Sequence, residues 1–96
     1  MKSQIDASGE RIFKKDILKT GAFNVVLVYL GKNQEIPPHP ENYAVFFFIL
    51  EGSGIFTKEG AEHSLQKDGS IYYEKNELRG IAAKEMLILL GIQEPH

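Results

Sequence analysis

The two densest apolar stretches of the sequence, Phe23 to Leu30 (FNVVLVYL) and Ala44 to Leu50 (AVFFFIL), are each cut off by glycine, at Gly31 and at Gly52. Both are rich in β-branched and aromatic residues and too short for an ordinary helix, so both are read as strands. Neither alternates apolar with polar residues, so each strand is expected to have cover on both faces. The same punctuation continues along the chain. Further strands are expected near Arg11 to Phe13, Gly54 to Lys58, Glu62 to Leu65, Ser70 to Glu74, Leu78 to Ala83 and Met86 to Gly91. Short strands between Gly, Asn, Asp and Pro clusters predict an all-β sandwich or barrel. For Met86 to Leu90 a buried helical turn is the alternative, cut short by Gly91.

Three turns join these strands. Lys58-Glu59-Gly60-Ala61 carries a glycine where a tight hairpin needs positive φ, and Lys67-Asp68-Gly69-Ser70 is expected to be a second turn of that kind. Lys84-Glu85 gives a third, without glycine.

A chain of 96 residues holds one modest core, so residues 1–96 are read as a single domain with residues 1–10 as an N-terminal arm. A net charge of −2 carries no excess that would favour nucleic acid. With no cysteine there is no disulfide framework and no thiolate chemistry. The first residues lack the apolar core of a secretory leader, and the longest apolar run is far below the roughly 20 residues that span a bilayer. A cytoplasmic protein without a membrane partner is the expectation. In a small one-layer barrel, cover for the outer faces of the two apolar strands has to come from a second sheet or another subunit, which makes a homodimer the expected assembly.

Chemistry-bearing residues are few. His39 lies between Pro38 and Pro40, which hold its backbone extended and its direction reproducible. It is either a fixed imidazole at a binding site or a loop histidine without a ligand. Arg79, if it points inward, requires a partner: Glu41, Glu74 or a bound anion. Tyr43, Tyr72 and Tyr73 suit a mixed pocket but also ordinary packing. In Phe46-Phe47-Phe48 alternate side chains face opposite ways, so Phe47 shares the interior with Val45 and Ile49. His63 and His96 carry no signal, and the spacing of Ser53, His63 and Asp68 gives no support to a nucleophilic triad. No phosphate-binding glycine loop is present.

From Gly31 to Ile92 the order of features resembles the small single-domain cupins. Gly31 to His39 (GKNQEIPPH) is similar to the family's approach to its first motif. Ile49 to Gly54 (ILEGSG) is similar to that motif's exit, and Lys67 to Tyr73 (KDGSIYY) to the approach to the second. The resemblance implies a small cupin-type β-barrel, the double-stranded β-helix or jelly roll. The first family motif is His-x-His, three or four residues, Glu, six residues, Gly. Set on His39 and Gly52, it places its second histidine at Glu41 and its glutamate at Val45. The second motif's histidine falls on Arg79, or on Gly80 with strict spacing, and its proline on Glu74 or Lys75.

Val45 and Arg79 cannot ligate a cation, so the resemblance implies a barrel without the complete metal site. The reading is a module that binds or senses a small molecule, with a carboxylate as the expected ligand, in a pocket of His39, Glu41, Val45, Phe47, Tyr73 and Arg79, with no cofactor. The alternative is a divalent-metal enzyme, an isomerase or oxygenase, on His39, Glu41 and recruits such as Glu74. No catalytic residue is identified in either case.

Overall fold

In a computed structural model of the protein, the backbone of residues 2–5 and 11 and the whole of residues 12–96 are described, and the apolar runs form two antiparallel sheets. The strands are β1 (Lys2–Ile5), β2 (Arg11–Lys19), β3 (Asn24–Leu30), β4 (Glu35–His39), β5 (Val45–Glu51), β6 (Ser53–Lys58), β7 (Ala61–Gln66), β8 (Ser70–Tyr73), β9 (Arg79–Ala83) and β10 (Leu87–Gln93). One sheet has the order β1-β2-β3-β10-β5-β8, the other β4-β9-β6-β7. Chain neighbours often lie in different sheets, which is the double-stranded β-helix winding expected from the sequence. Most of the proposed N-terminal arm, residue 1 and residues 6–10, lies outside the described residues.

The core is the space between the sheets. Val26, Val28 and Leu30 of β3, Val45, Phe47 and Ile49 of β5, and Leu87 and Leu89 of β10 enter it from one side. Phe56, Ile81 and Ala83 close it from the other. Burial alternates along β3, β5 and β10, so the three consecutive phenylalanines divide as their parity requires. Phe47 is inside, and Phe46 is 38% exposed on the outer face. Within the described residues, the outer faces of β3, β5 and β10 therefore have no second layer over them.

Three local features depart from the sequence reading. β4 is a strand in spite of Pro37 and Pro38. It lies at a sheet edge, where a missing N–H removes no ladder bond, and its register shifts between Ile36 and His39. β2 runs on to Lys19 through charged residues because its main chain pairs with β3 regardless of side-chain polarity. Lys67 to Ser70 is not a hairpin turn. Its positive φ is at Asp68, +72°, rather than at Gly69, and it carries the chain from β7 in one sheet to β8 in the other. The Asp68 N–H donates to the Ile49 carbonyl at 2.9 Å, which ties that crossing to the end of β5.

The β6–β7 hairpin does follow expectation, with Glu59 at φ +48° and Gly60 at φ +84° between paired Lys58 and Ala61. Gly52 also has positive φ, +89°, but a Cβ there would lie 1.8 Å from the Met86 carbonyl oxygen, whereas one on Gly60 would meet nothing within 4 Å. Gly52→Ala is therefore expected to lose more than about 3 kcal/mol in chemical denaturation or to fail to fold, and Gly60→Ala to lose about 1 kcal/mol. Equal losses would show that the β5–β6 turn is not the close approach described.

Candidate functional site

The β4–β9 ladder sets His39 opposite Arg79, at one end of the space between the sheets. The segment after β4 brings Glu41 and Tyr43 to the same place, and the Asn76 N–H, donating to the Glu41 carbonyl at 2.7 Å, fastens it to the turn before β9. Between them lies a cavity of about 50 Å³. Its walls are apolar at Ile12, Val28, Ile36, Phe47 and Ile81, and polar at Lys14, His39, Glu41, Tyr43, Arg79 and Gln93. The side chains of His39 and Glu41 are 37% and 33% exposed, so they form the side of the cavity that meets solvent.

Arg79 is only 5% exposed. Its Nη2 donates to the Tyr43 carbonyl at 2.7 Å and to the Glu74 carbonyl at 3.0 Å. The guanidinium carbon sits 5.2 Å from the Tyr43 ring centre and 5.4 Å from that of Tyr73, within cation–π range. Nε and Nη1 have no hydrogen-bond acceptor among the described residues. Of five guanidinium N–H donors, the three on those two nitrogens are thus free. Among the described residues no carboxylate is within ion-pair distance of this cation. The expected partners behave differently: Glu41 pairs with His39, and Glu74 offers its carbonyl rather than its carboxylate.

His39 Nε2 and Glu41 Oε2 are 3.0 Å apart, and His39 Nδ1 is 2.9 Å from the Pro37 carbonyl oxygen. Both ring nitrogens are therefore engaged. Val45 and Tyr73, both named from the sequence as pocket residues, are sealed in the core at 1% and 0% exposure and do not line the cavity, because their strand positions point into the packed centre. Tyr73 instead supports Arg79 from behind, its hydroxyl 3.5 Å from the Gly80 carbonyl oxygen. Burial raises the Tyr73 hydroxyl pKa well above the ordinary tyrosine range, against the opposing pull of Arg79. Burial and then the negative charge of Glu41 raise that of Tyr43.

Sequence reasoning missed Lys14, Ile12 and Gln93, which reach the cavity from strands far apart in the chain. It also set aside His96, which stacks on Tyr43 with ring centres 3.8 Å apart and planes 7° from parallel. The chain before it is held down by reciprocal bonds: Glu94 N–H to the Ala44 carbonyl at 3.0 Å, and Ala44 N–H to Glu94 Oε1 at 2.6 Å. No local pattern signals that contact, since it depends on the end of β10 lying beside the start of β5.

No protein-family model matches the sequence, and no curated protein matches it. Solved structures match its fold closely. KdgF from Halomonas sp. superposes with a TM-score of 0.86 over 100% of this chain and 87% of its own, at 17% identity. An RmlC-like cupin from Shewanella frigidimarina gives 0.85 over 98% and 85%, at 16% identity. The Cnp3 cupin domain of Schizosaccharomyces pombe gives 0.81 over 88% of this chain, at 20% identity, and this chain spans 65% of that one. The fold is that of a cupin.

The cupin metal positions fall, by the sequence resemblance, on His39, Glu41, Val45 and Arg79 or Gly80, and this donor set does not fit a cation. Val45 has no donor atom and is buried, and the guanidinium of Arg79 lies against the cavity as a fixed positive charge. Among the described residues no three His, Cys, Asp or Glu side chains come together, so His39, Glu41 and Glu74 do not form a ligand set either. No helix among them is long and apolar enough to cross a membrane.

A raised native pKa means that the Tyr73 contribution to stability is complete below the unfolded value of about 10 and is lost as pH rises beyond it. Tyr73→Phe is expected to leave the near-ultraviolet tyrosinate absorbance unchanged at pH about 10, where an ordinary tyrosine would contribute half its signal. A loss equal to half a tyrosine would place Tyr73 in contact with solvent.

Proposed function

We propose that this cupin barrel binds a small organic anion, most simply a carboxylate, without a metal ion. One observation carries the reading: a buried guanidinium on the cavity wall keeps three N–H donors without acceptors. A buried cation in that condition is stabilised by an anion that supplies the missing acceptors. Lys14, on the same wall, adds to the positive potential. The apolar residues opposite take the hydrocarbon part of the ligand, and at the opening the second carboxylate oxygen of Glu41 can accept a hydrogen bond from a hydroxyl on the ligand.

Size limits the ligand. On a scale where one water needs roughly 10–15 Å³, a cavity of about 50 Å³ holds three to five waters. Pockets for drug-sized molecules start near 300 Å³. The anion is therefore an acid of a few heavy atoms, or only the carboxylate end of a longer one enters. The arrangement supports binding and sensing, and no pair of groups in it is set for an identified reaction.

Screening short aliphatic and hydroxy acids by protein-observed NMR is expected to shift the amide signals of Tyr43 and Arg79 first. Arg79→Met, which keeps length but removes charge, is expected to weaken binding about 10- to 150-fold, the equivalent of a lost charge-assisted hydrogen bond of about 1.5–3 kcal/mol. The neutral amide of the best acid is expected to lose a similar factor. Unchanged binding by Arg79→Met would refute the proposal. Protein purified without chelator should carry less than about a tenth of an equivalent of transition metal. A full equivalent would favour the metal-enzyme reading instead.

A further inference from the structure

We propose that His96, carried to its place by Glu94, is a positioning residue that sets the direction of the Arg79 guanidinium through Tyr43; as a statement about ligand binding, this rests on the anion reading above. Arg79 depends on Tyr43 twice. Its Nη2 donates to the Tyr43 carbonyl at 2.7 Å, and its guanidinium carbon lies 5.2 Å from the Tyr43 ring centre. Yet Tyr43 belongs to the stretch between β4 and β5, outside both strands, and it is only half-buried. Its place has to be fixed from elsewhere in the chain.

The residues after β10 do this. Gln93 pairs with Val45, and Glu94 adds one more rung to that ladder: its N–H donates to the Ala44 carbonyl at 3.0 Å, and its Oε1 accepts from the Ala44 N–H at 2.6 Å. A carboxylate thus stands where a strand would offer a main-chain carbonyl, and a charged acceptor makes the stronger bond. Pro95 has no N–H to continue the ladder, and it keeps the backbone extended at Glu94. His96 therefore arrives over Tyr43, with ring centres 3.8 Å apart and planes 7° from parallel. Its Nδ1 is 3.0 Å from the Glu94 carbonyl oxygen. A carbonyl only accepts, so Nδ1 carries the proton of that bond and the imidazole is oriented by its own turn of chain.

Burial does not account for these two residues. Glu94 and His96 are exposed and lie outside the core, so replacing them leaves the packing between the sheets intact. What they govern is local. The stack biases the Tyr43 ring toward its place by about 2- to 12-fold, the equivalent of the roughly 0.5–1.5 kcal/mol of an aromatic pair. When the ring leaves, the cation–π face and the carbonyl that hold Arg79 lose their fixed direction together. Tyr43 and Arg79 both line the cavity, so the bias passes to the three N–H groups that find no acceptor among the described residues.

The test reads Arg79 before any ligand is added. In His96→Ala the upfield displacement that a stacked imidazole gives the Tyr43 ring protons is expected to vanish. The Arg79 Nε–H proton, followed by NMR, is expected to exchange with water about 2- to 12-fold faster. Glu94→Ala is expected to do the same, and His96→Phe, which keeps a flat ring, to restore the parent's exchange. The denaturation midpoint of both His96 variants is expected to stay at the parent's value, as for a surface substitution. With acetate as the probe, His96→Ala is expected to raise the dissociation constant by the same factor and His96→Phe to return it. A parent that binds no acetate removes the anion reading alone, and the Arg79 exchange then decides the role of His96. Exchange unchanged in both alanine variants overturns the proposal. So does a His96→Phe variant no slower than His96→Ala, a His96→Ala protein that fails to fold, or acetate binding that His96→Ala leaves intact.

Discussion

A guanidinium 5% exposed and, among the described residues, without a carboxylate partner is the constraint on which the open end of this barrel depends. Burying an unpaired charge costs several kcal/mol even after the surroundings relax. Here two main-chain carbonyls and two tyrosine rings offset part of that cost. The same contacts organise the rim. By accepting from one nitrogen, the carbonyls of Tyr43 and Glu74 are held together, so the segment after β4 and the turn before β9 are fixed to each other through Arg79. What remains unmet, three buried N–H groups on a side chain that lines the cavity, is a demand for acceptors that the described residues do not satisfy.

The positions onto which the sequence resemblance sets the cupin metal ligands carry other chemistry in this chain. Val45 is packed between the sheets, where a fully buried valine contributes about 1.5 kcal/mol or more of hydrophobic stabilisation. A carboxylate at that depth would need a cation to stay ionised. Arg79 reverses the charge of the site altogether. A metal centre presents a positive charge held by anionic or neutral donors, whereas here the positive charge is covalent and three of its N–H groups find no acceptor among the described residues.

Much of this was legible in the sequence. Glycine punctuation and the apolar runs marked most of the strands, and the parity of Phe46, Phe47 and Phe48 assigned inside and outside correctly. His39, Glu41, Phe47 and Arg79 were named as neighbours, and they share one cavity. What was lost was non-local or depended on context. Pro37 and Pro38 hid β4, because only the edge position makes proline harmless there. Parity alone put Val45 in the pocket, since it distinguishes interior from exterior but not cavity wall from packed core. Lys14 reaches the cavity, and His96 reaches Tyr43, through ladder registers, between β2 and β3 and between β10 and β5, which no window of sequence reports. The turn at Asp68 was misread because a glycine next to an aspartate suggests a hairpin whether or not the flanking strands pair.

The registers that build the cavity also build the outer face. On β3, β10 and β5 the inward residues Val28, Leu89 and Phe47 alternate with outward Leu27, Leu90 and Phe48, and a slip of one residue would exchange the two sets. Gly91 shows how closely the inward set is packed: a Cβ there would lie 3.0 Å from side-chain atoms of both Phe47 and Val26, so they would have to give by a few tenths of an ångström to admit it. Phe47 in turn forms part of the cavity wall and meets Tyr73 edge to face, with ring centres 6.3 Å apart. One layer of strands thus carries Phe47 toward the cavity and Phe46 and Phe48 to the outer face.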